Sequence, residues 1–192
     1  TSIATTESGA GFIPPKIRET SLAKLFLIDS PLLRVTDEPA GRTYAPLYYG
    51  MSDYEGRFTR GLLYRSNEGS TFQEVGTSIS PVRWGTTTTA LDDPTDIYMI
   101  DEVSTVTVLM VVGGGEVTSI TTPELLSTTL NTALLQKANG EVEIIQFRDV
   151  TQNANGTLTL GGFIRGIRGT DTMAYDHAPG EIFLLLRPNT GD

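Results

Sequence analysis

Apolar and polar positions alternate over short stretches along most of the chain, and clusters of Gly, Pro, Asn and Asp separate the stretches. Alternation with a period of two marks a strand that turns one face to a core. Residues 22–33 predict a strand stopped by Asp29, Ser30 and Pro31. Residues 44–51 contain Tyr44, Tyr48, Tyr49 and Pro46. They suit an edge strand, because proline cannot donate to a ladder. Residues 61–66 and 71–75 predict a hairpin about a turn at 67–70, and 79–89 an irregular strand region around Trp84, the only tryptophan. Residues 97–100 and 105–112 predict two more strands, the second ended by Gly113, Gly114 and Gly115.

One stretch breaks the period. Thr122, Pro123 and Glu124 have the order of a helix start, so one or two helical turns are expected there. The pattern then returns to strands. Residues 132–137 and 142–147 form a predicted hairpin through Asn139 and Gly140, and Asn155 with Gly156 joins 147–150 to 157–167. Asn-Gly is the strongest short hairpin signal, since both residues accept positive φ. Residues 181–187 make a closing strand ended by Pro188. The expected fold class is all-β: a sandwich or partly open barrel of about ten to twelve short, mostly antiparallel strands, with no internal repeat.

The small, polar stretch 1–15 has no period and suits a linker from an upstream domain; 16–192 would be one β-rich domain of two packed sub-sheets divided near residue 100. The chain starts without Met and without the basic and apolar order of a secretory leader, so a piece of a longer protein is expected. The longest apolar runs, such as 106–112, fall far short of the roughly 20 residues of a membrane-spanning helix.

Composition narrows the function classes. Charged residues make up only 19% of the 192 residues, so Thr, Ser, Gly and Asn must supply much of the polar surface, as is common in β-structure. The net charge of −9 and the scatter of the 14 Lys and Arg argue against a nucleic-acid-binding module. An acidic wall past which DNA slides without sticking stays compatible with that charge. The absence of cysteine removes disulfides, thiolate nucleophiles and cysteine-bound zinc.

Candidate chemistry is sparse. His177, the single histidine, stands in a turn-like Tyr-Asp-His-Ala-Pro-Gly stretch with no nucleophile-elbow sequence, so a hydrogen-bonded loop histidine is expected. Asp92, Asp93, Asp96, Asp101 and Glu102 lack the order of a calcium loop and are expected to be solvated turn acids. Gly113 to Gly115 precede Glu116 where a phosphate loop needs lysine, which leaves a tight turn or hinge. Asn155 matches the N-glycosylation pattern formally and is better explained by its hairpin turn. Tyr44, Tyr49, Tyr54 and Trp84 are candidate glycan contacts if the fold gathers them. No cofactor and no metal site are expected.

The most distinctive stretch is Gly161-Gly162-Phe163-Ile164-Arg165-Gly166-Ile167-Arg168-Gly169-Thr170-Asp171. Four glycines here predict bulges or close backbone contacts. An arginine fork suits two-point contact with a carboxylate such as Asp149, Asp171 or Asp176. Arg165, Arg168, Gly166, Gly169 and Asp171 are therefore candidates for a structural anchor or for an interface; the residues do not separate the two.

This stretch, in Ile164 to Asp171, resembles the Leu-x-Arg-Gly-x-Arg-Gly-Thr-Glu signature in the C-terminal region of tail-tip host-specificity proteins of phages and gene transfer agents. The segments Leu27-Ile28-Asp29-Ser30-Pro31-Leu32-Leu33, Gly61-Leu62-Leu63-Tyr64-Arg65-Ser66 and Glu143-Ile144-Ile145-Gln146-Phe147 are similar to others of that family and keep their order. Ser30, Asp171 and the turn between Lys137 and Glu141 depart from the usual form. The resemblance implies a structural, non-enzymatic component of a tail tip or baseplate in the virion or gene transfer agent particle, made in the bacterial cytoplasm. It implies self-association, most often as trimers, contact with neighbouring tail proteins and with a host surface receptor or glycan, and closure of the distal channel before DNA ejection. The alternative is a carbohydrate-binding β-sandwich module.

Overall fold

The computed structural model describes residues 22–30, 47–55 and 57–186. The linker-like stretch 1–15, the polar connection at 35–42 and Tyr44 lie outside the described residues. Ten strands are described: β1 (Ala23–Asp29), β2 (Leu47–Asp53), β3 (Gly61–Arg65), β4 (Gln73–Ser78), β5 (Arg83–Thr87), β6 (Asp101–Val112), β7 (Thr132–Gln136), β8 (Val142–Gln152), β9 (Leu158–Ile164) and β10 (Ile182–Leu185). The fold is all-β, as expected, and every ladder is antiparallel. Six strands close into a barrel in the order β10-β5-β6-β9-β8-β7; β1-β2 and β3-β4 are separate two-stranded sheets. Closure joins β7 to β10, with Leu135 opposite Phe183, and leaves no free edge in the barrel.

The barrel has a core on each side of its wall. Inside, Leu135, Ile145, Phe147, Leu160, Phe163 and Phe183 form one apolar cluster. Each contributes about 1.5–3 kcal/mol of burial. The alternate residues Leu134, Val142, Ile144, Trp84 and Leu184 face outward, where Phe26 and Ile28 of β1 and Tyr48 of β2 cover them. This explains the first half of β8, where all six positions from Val142 to Phe147 are buried.

The two Asn-Gly hairpins form, with a different turn from the one expected. Only Gly140 (φ 91°) and Gly156 (φ 83°) have positive φ in them. In each, the glycine N–H donates to the carbonyl three residues back, and that residue pairs with the one four ahead: Lys137 with Glu141 and Asn153 with Thr157. This is the three-residue turn with a left-handed glycine, which asks nothing unusual of the Asn.

Three further expectations are corrected. Residues 97–100 form a turn ahead of β6, in which Tyr98 and Met99 are exposed, and no strand. The segments expected as separate strands at 142–147 and 147–150 are one continuous β8. The last long strand ends at Ile164, so Arg165 begins the following loop. The short helix α1 (Thr122–Ser127) forms, capped one residue earlier than expected: the Thr121 hydroxyl accepts from the Glu124 N–H, and the Glu124 carboxylate accepts from the Thr121 N–H.

Candidate functional site

The inward row of β8 reads Glu143, Ile145, Phe147, so a carboxylate stands where the pleat demands a core side chain. A buried charge is tolerated only when it is paired and hydrogen-bonded. Arg165, two residues beyond Phe163, supplies the partner. Its Nε donates to Glu143 Oε1 at 2.9 Å and its Nη2 to Oε2 at 3.1 Å. Both side chains are fully buried. The remaining arginine donors reach the Asp92 carbonyl at 2.9 Å and the Ala174 carbonyl at 2.7 Å. The Gly166 N–H adds a further bond to Glu143 Oε1 at 2.9 Å.

His177 extends the network. Its Nε2 lies 2.8 Å from Glu143 Oε2 and its Nδ1 2.6 Å from Glu181 Oε2. Glu181 Oε1 accepts the Ala178 N–H, and the Glu181 N–H donates to the Thr87 hydroxyl. Asp101 of β6 completes the set, its Oδ2 3.5 Å from Arg165 Nη1. That oxygen makes no hydrogen bond, so charge alone holds it to the guanidinium. Its other oxygen accepts from the Val103 and Ser104 N–H groups.

Burial by itself would push the Glu143 carboxyl up, but the hydrogen bonds from His177 and Arg165 more than offset it and hold the carboxyl below its ordinary value. Burial would likewise push His177 down, and the two carboxylates win, raising it. Asp101 is held low despite burial by the hydrogen bonds from Ser104 and Val103 and by Arg165.

The network closes one end of the barrel interior. It ties β6, β8 and the start of β10 to the loop between Arg165 and Glu181, which contains two short 3-10 turns. Gly166 makes the entry to this loop feasible. It has φ 60°, and a Cβ there would stand 2.5 Å from the Asp171 Cα. The Ile144 N–H donates to the Thr170 hydroxyl, and the Lys137 ammonium donates to the Tyr175 carbonyl, fastening the loop further.

A second, exposed cluster stands nearer the surface. Arg148 forks between Glu102 (2.6 and 2.8 Å) and its neighbour Asp149. These bonds raise the arginine and lower both carboxyls. Chemically, both clusters use their donors on internal acceptors. In the buried one, His177 and Glu143 are about 1% and 0% exposed at their side chains, so neither turns a proton-transfer atom to solvent.

The candidates from the sequence separate on the structure. Arg165 is buried, whereas Arg168 is exposed and takes a left-handed conformation (φ 61°) inside a 3-10 turn. The carboxylates of Arg165 are those of Glu143 and Asp101, which corrects the expected Asp149, Asp171 or Asp176. Asp171 is exposed, with its backbone packed beside Gly166, and Gly169 has φ 83° with open space around it. The acidic cluster also divides. Asp96 accepts the Tyr98 N–H in a local turn, Asp93 accepts the Asp176 N–H, Glu102 pairs with Arg148, and the Asp101 side chain is only 7% exposed, which corrects its assignment as a solvated turn acid. His177 is a hydrogen-bonded loop histidine, as expected.

Tyr49 and Tyr54 are exposed, but Trp84 is 2% exposed. Its ring meets Phe26 and Tyr54 edge-on, at 61° and 84°, with the Lys24 ammonium 4.2 Å from its centroid. Trp84, Phe26 and Tyr54 thus form a packed corner of edge-on rings, and the Tyr49 hydroxyl donates to the Thr77 carbonyl. Glu143, Glu181 and Thr87 went unnoticed as site residues. The signal for Glu143 was available: a carboxylate on the core face of an otherwise apolar strand requires a buried cation.

The model of the family described as Rcc01698-like, C-terminal, matches residues 82–184, more than half of the chain. The chain belongs to this family. The match begins beside β5 and ends within β10, so it covers the closed barrel up to Leu184, together with Glu143, Arg165, His177 and Glu181. The family name is associated with gene transfer agents. No curated protein matches the chain.

Proposed function

We propose that the chain is a structural, non-enzymatic module at the distal end of a phage-like or gene transfer agent tail. There it acts in assembly and host attachment and in closing the channel before DNA release. The observation that carries this reading is that the gene transfer agent-associated family coincides with the barrel and its ionic end. Two features support it. The most chemically capable side chains, His177, Glu143 and Arg165, are spent on one another inside the barrel, as suits a rigid building block. The sheet of β3 and β4 exposes Leu62, Tyr64 and Val75, with Phe72 and Ile79 beside it, an apolar surface of the kind that neighbouring subunits cover.

Antibody labelling of purified particles tests the proposal. Label confined to the distal tail end supports it. A chain that does not co-purify with particles, or that labels elsewhere on them, contradicts it.

A further inference from the structure

The single histidine of the chain is buried with a carboxylate oxygen facing each ring nitrogen. A neutral imidazole has one N–H, so it can satisfy one of these oxygens and must turn a lone pair to the other. Glu143 Oε2 also accepts from Arg165, but no other hydrogen bond reaches Glu181 Oε2 among the described residues. The arrangement therefore calls for a proton on each nitrogen.

The charged groups around the ring come from every side. β8 contributes Glu143, the approach to β10 contributes Glu181, and the segment after β9 contributes Arg165, which shares Glu143. Asp101 of β6 faces Arg165, β5 contributes only the neutral Thr87, and Lys137 at the end of β7 is directed to the Tyr175 carbonyl. With the proton, two cations face three carboxylates. Without it, one cation faces three carboxylates whose side chains are at most 7% exposed.

We propose that His177 is a proton-operated latch: its doubly protonated ring clamps the 165–181 loop over the barrel end, and loss of that proton frees the loop while the barrel stays closed. The loop is built to separate from the wall. The barrel ladders join β5, β6, β7, β8, β9 and β10 without it; side-chain bonds attach it at Gly166, Thr170, Tyr175 and His177, and main-chain bonds between Thr87 and both Gly180 and Glu181 hold its far end. The raised position of His177 relative to a free imidazole favours the protonated, clamped form. The inference stands independently of the tail assignment.

Nitrogen-15 NMR of the intact chain tests it, with one histidine and so one imidazole to assign. Both ring nitrogens should carry protons at neutral pH, and the midpoint should lie above the ~6.5 of a free imidazole. Amide exchange of Gly166 and Ala178, corrected for intrinsic base catalysis, should then show opening that grows about tenfold per pH unit above that midpoint. Amides of the β7–β10 ladder should stay protected. A His177→Gln chain should exchange these two amides rapidly at every pH. A neutral ring at pH 7, loop opening independent of pH, or opening of loop and ladder together would overturn the proposal. If the variant does not fold, the wild-type profile decides alone.

Discussion

Arg165 and Glu143 lie 22 residues apart in the chain and meet inside the barrel end, guanidinium against carboxylate, with both side chains fully buried. The Arg-Gly-x-Arg-Gly stretch is thus a joint whose first arginine faces the core and whose second faces out. Removing the inner one strands a carboxylate. Arg165→Ala should destabilise the fold by about 3–5 kcal/mol, because an unpaired buried charge remains. Arg165→Lys should recover only part of the loss, since an ammonium cannot reproduce the fork. Urea denaturation measures both. A loss within 1 kcal/mol, roughly that of an exposed ion pair, would contradict the assignment.

Stability should depend on pH from both sides. His177 is raised above its ordinary 6.5, so its contribution is complete below that value and is lost as pH rises through the folded midpoint. Glu143 is held below its ordinary 4.5, so its contribution is complete above that value and is lost as pH falls through its folded midpoint. Thermal unfolding should therefore show a plateau between 4.5 and 6.5, with a decline from 6.5 up through the folded His177 midpoint and another from 4.5 down through the folded Glu143 midpoint. In His177→Gln the alkaline decline should vanish while the acid one stays. Stability that rises steadily from pH 6.5 to 9 would contradict the imidazolium.

Two glycines with the same place in the repeated Arg-Gly pair should respond differently. Gly166→Ala places a Cβ against the Asp171 backbone and should cost at least ~2 kcal/mol, the left-handed penalty plus a collision. Gly169→Ala meets no atom and should cost only the left-handed penalty, ~1–2 kcal/mol. Equal losses would show that Gly166 is conserving φ alone.

The sequence disclosed the strand class and the hairpins because strands with a period of two, punctuated by Asn-Gly, are local signals. It disclosed less where neighbours decide. Ile97 to Ile100 read as a strand by residue type, but they precede the barrel ladder and turn outward. The partner of Arg165 was missed for the same reason: Glu143 becomes its neighbour only when β8 pairs with β9 and the pleat turns that carboxylate inward, while Asp149 on the same strand pairs with Arg148. Arg165 and Arg168 look alike in the sequence, but the left-handed Gly166 turns the chain between them, so one is buried and the other exposed.

That division changes what the arginines should do in assembly. Arg168→Ala should leave the thermal unfolding of the isolated chain within about 1 kcal/mol of wild type, as expected for a surface position, and lower its incorporation into particles. Arg165→Ala should lower incorporation only in step with folding. Quantitative blotting of purified particles against total cell protein checks both, and normal incorporation of Arg168→Ala would remove it from the interface.

The most direct test of the proposed role is a cryo-electron microscopy map of the intact particle. The barrel of residues 83–185 should fit as a rigid body in symmetry-related copies about the axis of the distal tail, with the β3–β4 surface covered by a neighbour. A map in which no density fits the barrel, or in which it sits away from the tail end with that surface bare, would rule the proposed role out.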